Sequence, residues 1–169
     1  KTGIADFARG LAELDIELVS TGGTAATLRD SGLEVRDIAD FTGFPEIMGG
    51  RVKTLHPKLY AGVLALRDEP AHMAAAQEHE IEFVDLVCVN LYPFEAWANR
   101  RGVTEHEVLE HIDIGGPTMV RAAAKNFAFT AVVVKPESYD AVLQELSEGD
   151  NQLSLTTRES LAAEAFAYT

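Results

Sequence analysis

Five lysines occur in this chain, and two of them lie in segments with little other charge. Lys53 lies within GGRVKTLHP (residues 49–57), and Lys125 belongs to RAAAKN (residues 121–126). A cation in such a segment can hold an anionic substrate or stabilise negative charge that develops during a reaction. Each lysine could equally be a solvated cation of a loop or a helix end, so neither one alone identifies a site.

A second candidate is the segment STGGT (residues 20–24), which follows a strand-like run and precedes a helical one. Backbone N–H groups at the start of a helix bind phosphate, and glycine lets the ligand approach the backbone closely. By itself, such a segment is more often an ordinary strand-to-helix turn with a threonine cap. It matches neither the P-loop pattern nor the dinucleotide fingerprint, which argues against those two classes of nucleotide site.

The segment DIGGPT (residues 113–118) has the same arrangement, with a carboxylate and two glycines ahead of a helix. Asp113 could act as a general base, or it could be an ordinary turn or capping residue. Lys125 follows twelve residues later, so the two charges could pair only if the intervening helix folded back. Asn90 and Tyr92 follow the most apolar strand-like run, which would place an amide and a phenol at a ligand-binding edge. A lone tyrosine there is more often structural.

Metal and thiol chemistry have little support in the sequence. The five histidines form no HExxH pattern, and His106 and His111 are five residues apart, off a common helix face. Cys88, the single cysteine, lies within a strand-like run, where a thiol usually packs as a small apolar side chain. The sequence therefore predicts no metal site and no internal disulfide.

Composition narrows the class of protein. The 169 residues include 27 acidic and 14 basic side chains, which gives a formal net charge of −13. Such a chain lacks the basic surface of a nucleic-acid or membrane-surface binder, and no apolar run reaches the ~18 residues of a transmembrane helix. We expect one domain over residues 1–169, in the cytoplasm, with a small-molecule substrate. Because the chain begins with Lys1 rather than Met, we also expect that the natural N-terminus is missing.

Periodicity and boundary signals predict the elements that must position these residues. Helices are predicted over residues 4–14, 25–30, 71–80, 104–111, 119–126, 137–146 and 155–168, and strands over 16–20, 34–38, 61–66, 84–89 and 130–134. Residues 39–58 form a long irregular segment, which is usually functional inside a compact domain. The alternation predicts an α/β fold with a mostly parallel sheet between helices, and ligands beyond the carboxyl ends of the strands.

These segments, in this order, resemble the IMP cyclohydrolase domain of the bifunctional purine-biosynthesis enzymes that also carry AICAR transformylase. The matching runs span nearly the whole chain: KTG (1–3), STGGT (20–24), TGFPE (42–46), GRVKTLHP (50–57), NLYPF (90–94), DIGG (113–116) and RAAAKN (121–126). The resemblance implies a methylglyoxal-synthase-like three-layer α/β/α fold and a homodimer. It also implies ring closure of 5-formamido-imidazole-4-carboxamide ribotide (FAICAR) to IMP, with no metal or cofactor, since folate serves only the transformylase.

The resemblance also assigns the site residues. Those it assigns to catalysis are Lys53, Tyr92, Asp113 and Lys125. We expect the first two at the formyl oxygen and the last two at the amide proton. Those it assigns to substrate and phosphate binding are Lys1, Ser20, Gly22, Gly23, Thr24, Arg51, Thr54, Asn90, Gly115 and Gly116. Two parts of the family pattern are missing here: a first strand that ends in serines just before Lys1, and the C-terminal transformylase domain.

Two other functions share the implied fold. A methylglyoxal synthase, which removes phosphate from dihydroxyacetone phosphate, has a phosphate pocket but lacks the runs around Lys53, Asn90 and Lys125. An allosteric nucleotide-sensing module, as in carbamoyl-phosphate synthetase, would not need a lysine, a tyrosine and an aspartate together at the ligand edge. Both functions stay open as alternatives to the cyclohydrolase.

Overall fold

The computed structural model describes residues 3–91, 94, 100 and 102–169. Its helices are α1 (Ile4–Glu13), α2 (Gly22–Asp30), α3 (Ile38–Thr42), α4 (Pro57–Leu64), α5 (Pro70–Glu78), α6 (Glu105–Glu110), α7 (Gly115–Lys125), α8 (Tyr139–Glu148) and α9 (Leu155–Tyr168). Its strands are β1 (Val19–Ser20), β2 (Arg36–Asp37), β3 (Leu86–Cys88) and β4 (Ala131–Val133), and 3₁₀ turns span Met48–Gly50 and Pro136–Ser138.

Strands β3 and β4 lie at the centre of the fold. They pair in parallel, with Val87 opposite Val132, and successive side chains point to opposite faces of the pair. On one face, Ala131 and Val133 pack with α1 and α8, whereas on the other face Val132 and Val134 pack with α4, α7 and α9. Helices therefore cover both faces, which confirms the predicted three-layer α/β/α arrangement.

A second parallel pair is formed by β1 and β2. Ser20 pairs with Asp37 at the carboxyl end of this pair, and an apolar cluster that includes Ala25 and Val35 connects it to α1 and α2. Parallel pairing requires a crossover between the strands, and α2 provides it for this pair. The carboxyl ends of β1 and β3 thus lead into two of the segments that the sequence singled out, at Ser20 and at Asn90.

The predicted strand over residues 61–66 is wrong, because these residues belong to α4 and the turn after it. Pro57 lies in the first turn of the helix, where the side chain of His56 caps it. Leu59 and Val63 are both buried one helical turn apart, which is the spacing of a helix face. A short apolar run does not distinguish a buried strand from a buried helix, and here the start signal at Pro57 decides between them.

Helices α2 and α7 begin three or more residues earlier than the sequence predicted. Helix α2 starts at Gly22 and α7 at Gly115, so both glycine pairs form first helical turns rather than the loops before them. Within residues 39–58, which were predicted to be irregular, α3 and a 3₁₀ turn precede the stretch that carries Lys53. Helix α6 has the predicted capping box at Thr104. The glycine segments are therefore helix amino termini, with N–H groups that face outward along the helix axis.

Candidate active site

The first part of the candidate site is the amino-terminal turn of α2, which follows Ser20 at the end of β1. Thr21 precedes the helix with extended backbone, and its side chain makes no capping hydrogen bond. The N–H groups of Gly22, Gly23 and Thr24 have no acceptor within the helix because they belong to its first turn. Gly22 has a φ of 53°, in the left-handed region that glycine adopts without strain. This turn can bind an anion through its N–H groups and the positive end of the helix dipole.

Lys53 lies against this turn. A Cβ atom placed on Gly22 would be 3.7 Å from Lys53 Nζ, and one placed on Gly50 would be 4.0 Å from the same nitrogen. Because both neighbours are glycines, no Cβ atom crowds the ammonium group on these two sides, and on the Gly50 side the carboxylate of Glu46 lies 2.7 Å from the same Cβ position. The partly buried lysine adds a full positive charge to a helix terminus that already favours anions. The structure therefore brings Lys53 and the α2 turn together.

The second part lies at the amino terminus of α7, which Thr54 and Asp113 both approach. A Cβ atom on Gly115 would be 2.7 Å from Thr54 Oγ1, so this approach requires glycine. The Asp113 carboxylate folds over the same turn, and its Oδ1 accepts a hydrogen bond from Gly116 N at 2.9 Å. A Cβ atom on Gly116 would clash with the other carboxylate oxygen. The two glycines thus make room for a hydroxyl and a carboxylate at the positive end of α7.

Two consecutive residues connect these two turns. Lys53 lies on the α2 turn, and its neighbour Thr54 lies on the α7 turn. Helices α2 and α7 therefore present their amino termini to the same short stretch of chain. A bound molecule with an anionic group at one end and a reacting group at the other could extend from the α2 turn to Asp113.

Asn90 joins the site from the carboxyl end of β3. The pairing of β3 with β4 continues to Val89, the residue before Asn90, whose backbone N–H donates a hydrogen bond to the carbonyl oxygen of Val133 at 3.0 Å. The next residue, Leu91, packs on the α7 turn, with its Cδ2 3.1 Å from where a Cβ on Gly116 would be. The Oδ1 atom of Asn90 accepts a hydrogen bond from Tyr139 Oη at 2.9 Å. The structure therefore holds Asn90 beside the turn that carries Asp113.

Arg51 is engaged with a carboxylate in this structure. Its guanidinium forms an ion pair and a hydrogen bond with Glu110, the last residue of α6. The hydrogen bond, and then the opposite charge, raise the pKa of Arg51, and the same hydrogen bond lowers the pKa of Glu110. Both side chains are exposed, and exposed ion pairs are weak. A phosphate could therefore compete with Glu110 for Arg51.

Lys125 lies at the opposite end of α7 from Asp113. It is the last residue of α7, whereas Asp113 precedes the first residue of that helix. At 1.5 Å per residue, their separation corresponds to ~18 Å along the helix axis. The helix is continuous and does not fold back, so the expected pairing of Asp113 with Lys125 does not form within one chain. Two other predicted residues, Lys1 and Tyr92, lie outside the described residues, and their roles stay predictions.

Two tyrosines near the site were not singled out from the sequence. Tyr139 is buried at the start of α8, and Tyr60 lies on α4. The Tyr60 hydroxyl is buried and has no hydrogen-bond partner among the described residues. Burial first, and then the charge of Asp113, raise the pKa of Tyr60, which therefore senses that carboxylate. Aromatic residues at such helix positions usually serve only core packing, so no local pattern marks either tyrosine.

The described residues give little support to metal or thiol chemistry. Within them, no group of three or more His, Cys, Asp or Glu side chains could hold a metal ion. Burial raises the pKa of the Cys88 thiol, which donates a hydrogen bond to Tyr139 Oη at 3.5 Å. This environment suits a packed side chain better than a nucleophile. Over the same residues, no helix combines the length and apolar composition that a membrane span requires.

Comparison with known protein families gives two matches, the first of which covers most of the chain. Residues 3–118 match the family described as "MGS-like domain", and residues 123–169 match the family described as "AICARFT/IMPCHase bienzyme". A solved structure described as "Crystal structure of ForH" superposes with a TM-score of 0.84 at 37% sequence identity. That match covers 98% of this chain and 86% of the other.

Three curated relatives of the whole chain share one name. The proteins called "Bifunctional purine biosynthesis protein PurH" from Ruegeria sp. (strain TM1040) and from Paracoccus denitrificans (strain Pd 1222) are each 56% identical to it over 169 residues. The relative of the same name from Persephonella marina is 50% identical. Each alignment covers 100% of this chain and 32% of the relative, so the chain spans about a third of their length.

Proposed function

This chain belongs to the MGS-like domain family, and we propose that it is the IMP cyclohydrolase domain of a longer bifunctional purine-biosynthesis protein. In that reaction the carboxamide nitrogen of FAICAR attacks the formyl carbon, a C–N bond forms, and water leaves to give IMP. The 56% identity to proteins named for purine biosynthesis supports the proposal, as does the AICARFT/IMPCHase match of residues 123–169. In this proposal the longer protein also carries the AICAR formyltransferase activity.

The observation that carries the proposal is the contact of two neighbouring residues with two helix termini, Lys53 with α2 and Thr54 with α7. A ribonucleotide has a phosphate at one end and a base at the other, and this arrangement suits both. In this proposal the base lies between Asn90 and Asp113, on the turn of Gly115 and Gly116. The residues proposed to surround the 5′-phosphate are Lys1, Ser20, Gly22, Gly23, Thr24 and Arg51. Thr54, which the resemblance also assigns to binding, lies on the α7 turn with the base in this proposal.

The reaction makes three demands on the site. Because a carboxamide nitrogen is a poor nucleophile, the two reacting groups must be held close, a proton must leave the nitrogen, and the oxyanion must be stabilised. Asp113, anchored by Gly116 N and exposed, is the proposed proton acceptor. Lys53 would stabilise the formyl oxygen, with Tyr92 as its proposed assistant. The reaction has no net oxidation or reduction, and we propose that it needs neither a metal nor an organic cofactor.

The resemblance also supports a homodimer in the cytoplasm as part of the proposal. Lys125 does not contact Asp113 of the same chain, because the length of α7 separates them. In a homodimer, Lys125 could act at this site only from a second copy of the chain.

The test is to mix the chain with FAICAR and to follow the absorbance of IMP. We expect turnover by the unsubstituted chain and a loss of a hundredfold or more for Asp113→Asn, equivalent to about 3 kcal/mol of transition-state stabilisation. Asp140→Asn, in the exposed first turn of α8, is the matched control and should leave turnover unchanged.

Other outcomes discriminate the alternatives. FAICAR that stays unchanged in the presence of folded protein contradicts the cyclohydrolase. Binding of IMP without turnover would then favour a nucleotide-sensing module, and release of phosphate from dihydroxyacetone phosphate would favour a methylglyoxal synthase. Activity that EDTA abolishes and a divalent ion restores contradicts the proposed independence from metals.

A further inference from the structure

A chain of hydrogen bonds ends on Asn90. Cys88 Sγ donates to Tyr139 Oη at 3.5 Å, and Tyr139 Oη donates to Asn90 Oδ1 at 2.9 Å. A phenol has one hydrogen to donate, and here Asn90 receives it. The carbonyl half of the Asn90 amide is therefore occupied by a protein donor.

The position of Tyr139 is itself fixed by packing. The residue is 4% exposed, and its ring stacks on Phe7 with centroids 4.2 Å apart and planes 11° apart. A Cβ atom on Gly3 would be 3.5 Å from the same ring. Burial, followed by the hydrogen bond with Cys88, raises the pKa of Tyr139 well above its usual range, so the phenol stays a neutral donor. The hydroxyl cannot turn into the site to serve the ligand directly.

The other half of the Asn90 amide is its Nδ2 group. Once Oδ1 is held, the Nδ2 atom keeps two hydrogens to donate, and no residue in the described ranges accepts them. Asn90 lies at the carboxyl end of β3, and the following residue packs on the turn that carries Asp113. The free donors therefore belong to the edge where the base of a nucleotide is proposed to bind.

We propose that Tyr139 is a positioning residue that sets the specificity of this edge: by holding Asn90 Oδ1, it presents the Nδ2 hydrogens to the base. This inference rests on the proposed function, because it takes Asn90 to contact the base. Two donors favour a ring carbonyl oxygen, as in a hypoxanthine nucleotide, over an amino group, which would leave donors facing each other. We expect IMP to bind at least tenfold more tightly than AMP.

The first test is a double-mutant cycle measured by calorimetry with IMP and AMP as probes. Tyr139→Phe keeps the stacked ring and should reduce the preference for IMP about tenfold, which is about 1.4 kcal/mol. In the Asn90→Ala background the same substitution should change neither affinity, because Tyr139 acts through Asn90. If Tyr139→Phe reduced the affinity for IMP equally with Asn90 present and in Asn90→Ala, the role of Tyr139 would be merely structural and the proposal would be overturned. Tyr168→Phe, at an exposed tyrosine near the end of α9, is the control.

The second test needs no ligand. In ¹⁵N NMR spectra, the Asn90 side-chain amide should be rigid in the unsubstituted protein and should gain motion in Tyr139→Phe. Strong contacts between its Nδ2 hydrogens and the Tyr139 ring would show the opposite amide orientation and overturn the proposal. Normal FAICAR cyclisation with equal affinities for IMP and AMP would overturn this inference alone. A preference for IMP that depends on Tyr139, in protein that does not cyclise FAICAR, would overturn the proposed function alone.

Discussion

Asp113 and Lys125 lie at opposite ends of the same helix, ~18 Å apart along its axis. Residues so far apart, which share no partner within the described part of the chain, usually act independently when they are substituted. We therefore expect the effects of Asp113→Asn and Lys125→Ala on kcat/KM to add, within about 0.5 kcal/mol, in the double variant. The measurement is steady-state kinetics of all four proteins. If Lys125→Ala alone lowers kcat/KM, a double variant no slower than Asp113→Asn alone would contradict this expectation and indicate that a second copy supplies the lysine.

The Asp113 carboxylate occupies the space that a side chain on Gly116 would fill. Gly116→Ala adds a Cβ atom that clashes with a carboxylate oxygen and comes within 3.1 Å of Leu91, so the carboxylate must move. We expect turnover to fall tenfold or more while the melting temperature changes little, because alanine suits a helix better than glycine. Thr118→Ala, in the same helical turn and exposed, should keep near-normal turnover. Normal turnover in Gly116→Ala would separate the position of Asp113 from catalysis.

The ion pair of Arg51 with Glu110 should compete with the phosphate. Glu110→Ala frees the guanidinium, so we expect IMP to bind about two- to fivefold more tightly, which corresponds to the worth of an exposed ion pair. Titration calorimetry at low and at physiological salt measures the change, which should shrink as salt increases. Glu105→Ala, at the other end of α6, is the control. An unchanged affinity would show that Arg51 does not contact the phosphate.

Tyr60 and Tyr139 offer a matched pair of hydroxyl deletions. The Tyr60 hydroxyl is buried without a partner among the described residues, so Tyr60→Phe should leave stability unchanged or raise it by about 1 kcal/mol. Tyr139→Phe leaves Asn90 Oδ1 without its donor, so it should cost about 1–2 kcal/mol. Urea denaturation measures both free energies of unfolding. A comparable loss in Tyr60→Phe would reveal a partner for its hydroxyl.

Glu145 makes stability depend on pH. Its carboxylate accepts hydrogen bonds from Thr157 Oγ1 and from Ser154 N, both at 2.7 Å, and these bonds, that of Thr157 first, lower its pKa. A carboxyl whose folded-state pKa is depressed stabilises the fold above its unfolded-state pKa of about 4.3, and this contribution is lost as pH falls through the folded-state pKa. Glu145→Gln should therefore unfold more easily at neutral pH.

The pH series gives this prediction its control. The difference in melting temperature between Glu145→Gln and the unsubstituted protein should shrink below pH ~4. Glu159→Gln, at an exposed carboxyl of α9, should show no such trend. A difference that stays constant from pH 7 to pH 3 would mean that the charge of Glu145 contributes nothing.

The sequence by itself determined the fold class and most of the site segments. Short apolar runs in the sequence indicate buried strands, and capping residues, glycines and prolines indicate where helices begin. Because these signals come from neighbouring residues, the sequence predicts the parallel α/β arrangement and the capping box at Thr104. The two glycine pairs marked both helix termini, although they form the first turns of α2 and α7 rather than the loops before them. Residues 61–66 were assigned to a strand because a short apolar run carries no period, whereas the helix start at Pro57 and the packing on α7 and β4 show a helix.

The tertiary structure decided which of these residues meet. Lys53 and Gly22 are distant in sequence, and their contact depends on how the segment before α4 crosses two helix termini, which no local pattern encodes. The bond from Tyr139 to Asn90 likewise depends on the packing of α8 against β3 and β4, since each residue alone looks like an ordinary core or turn residue. The separation of Asp113 from Lys125 follows from the straightness of α7. Periodicity is a property of neighbouring residues, whereas these distances depend on the packing of the whole domain.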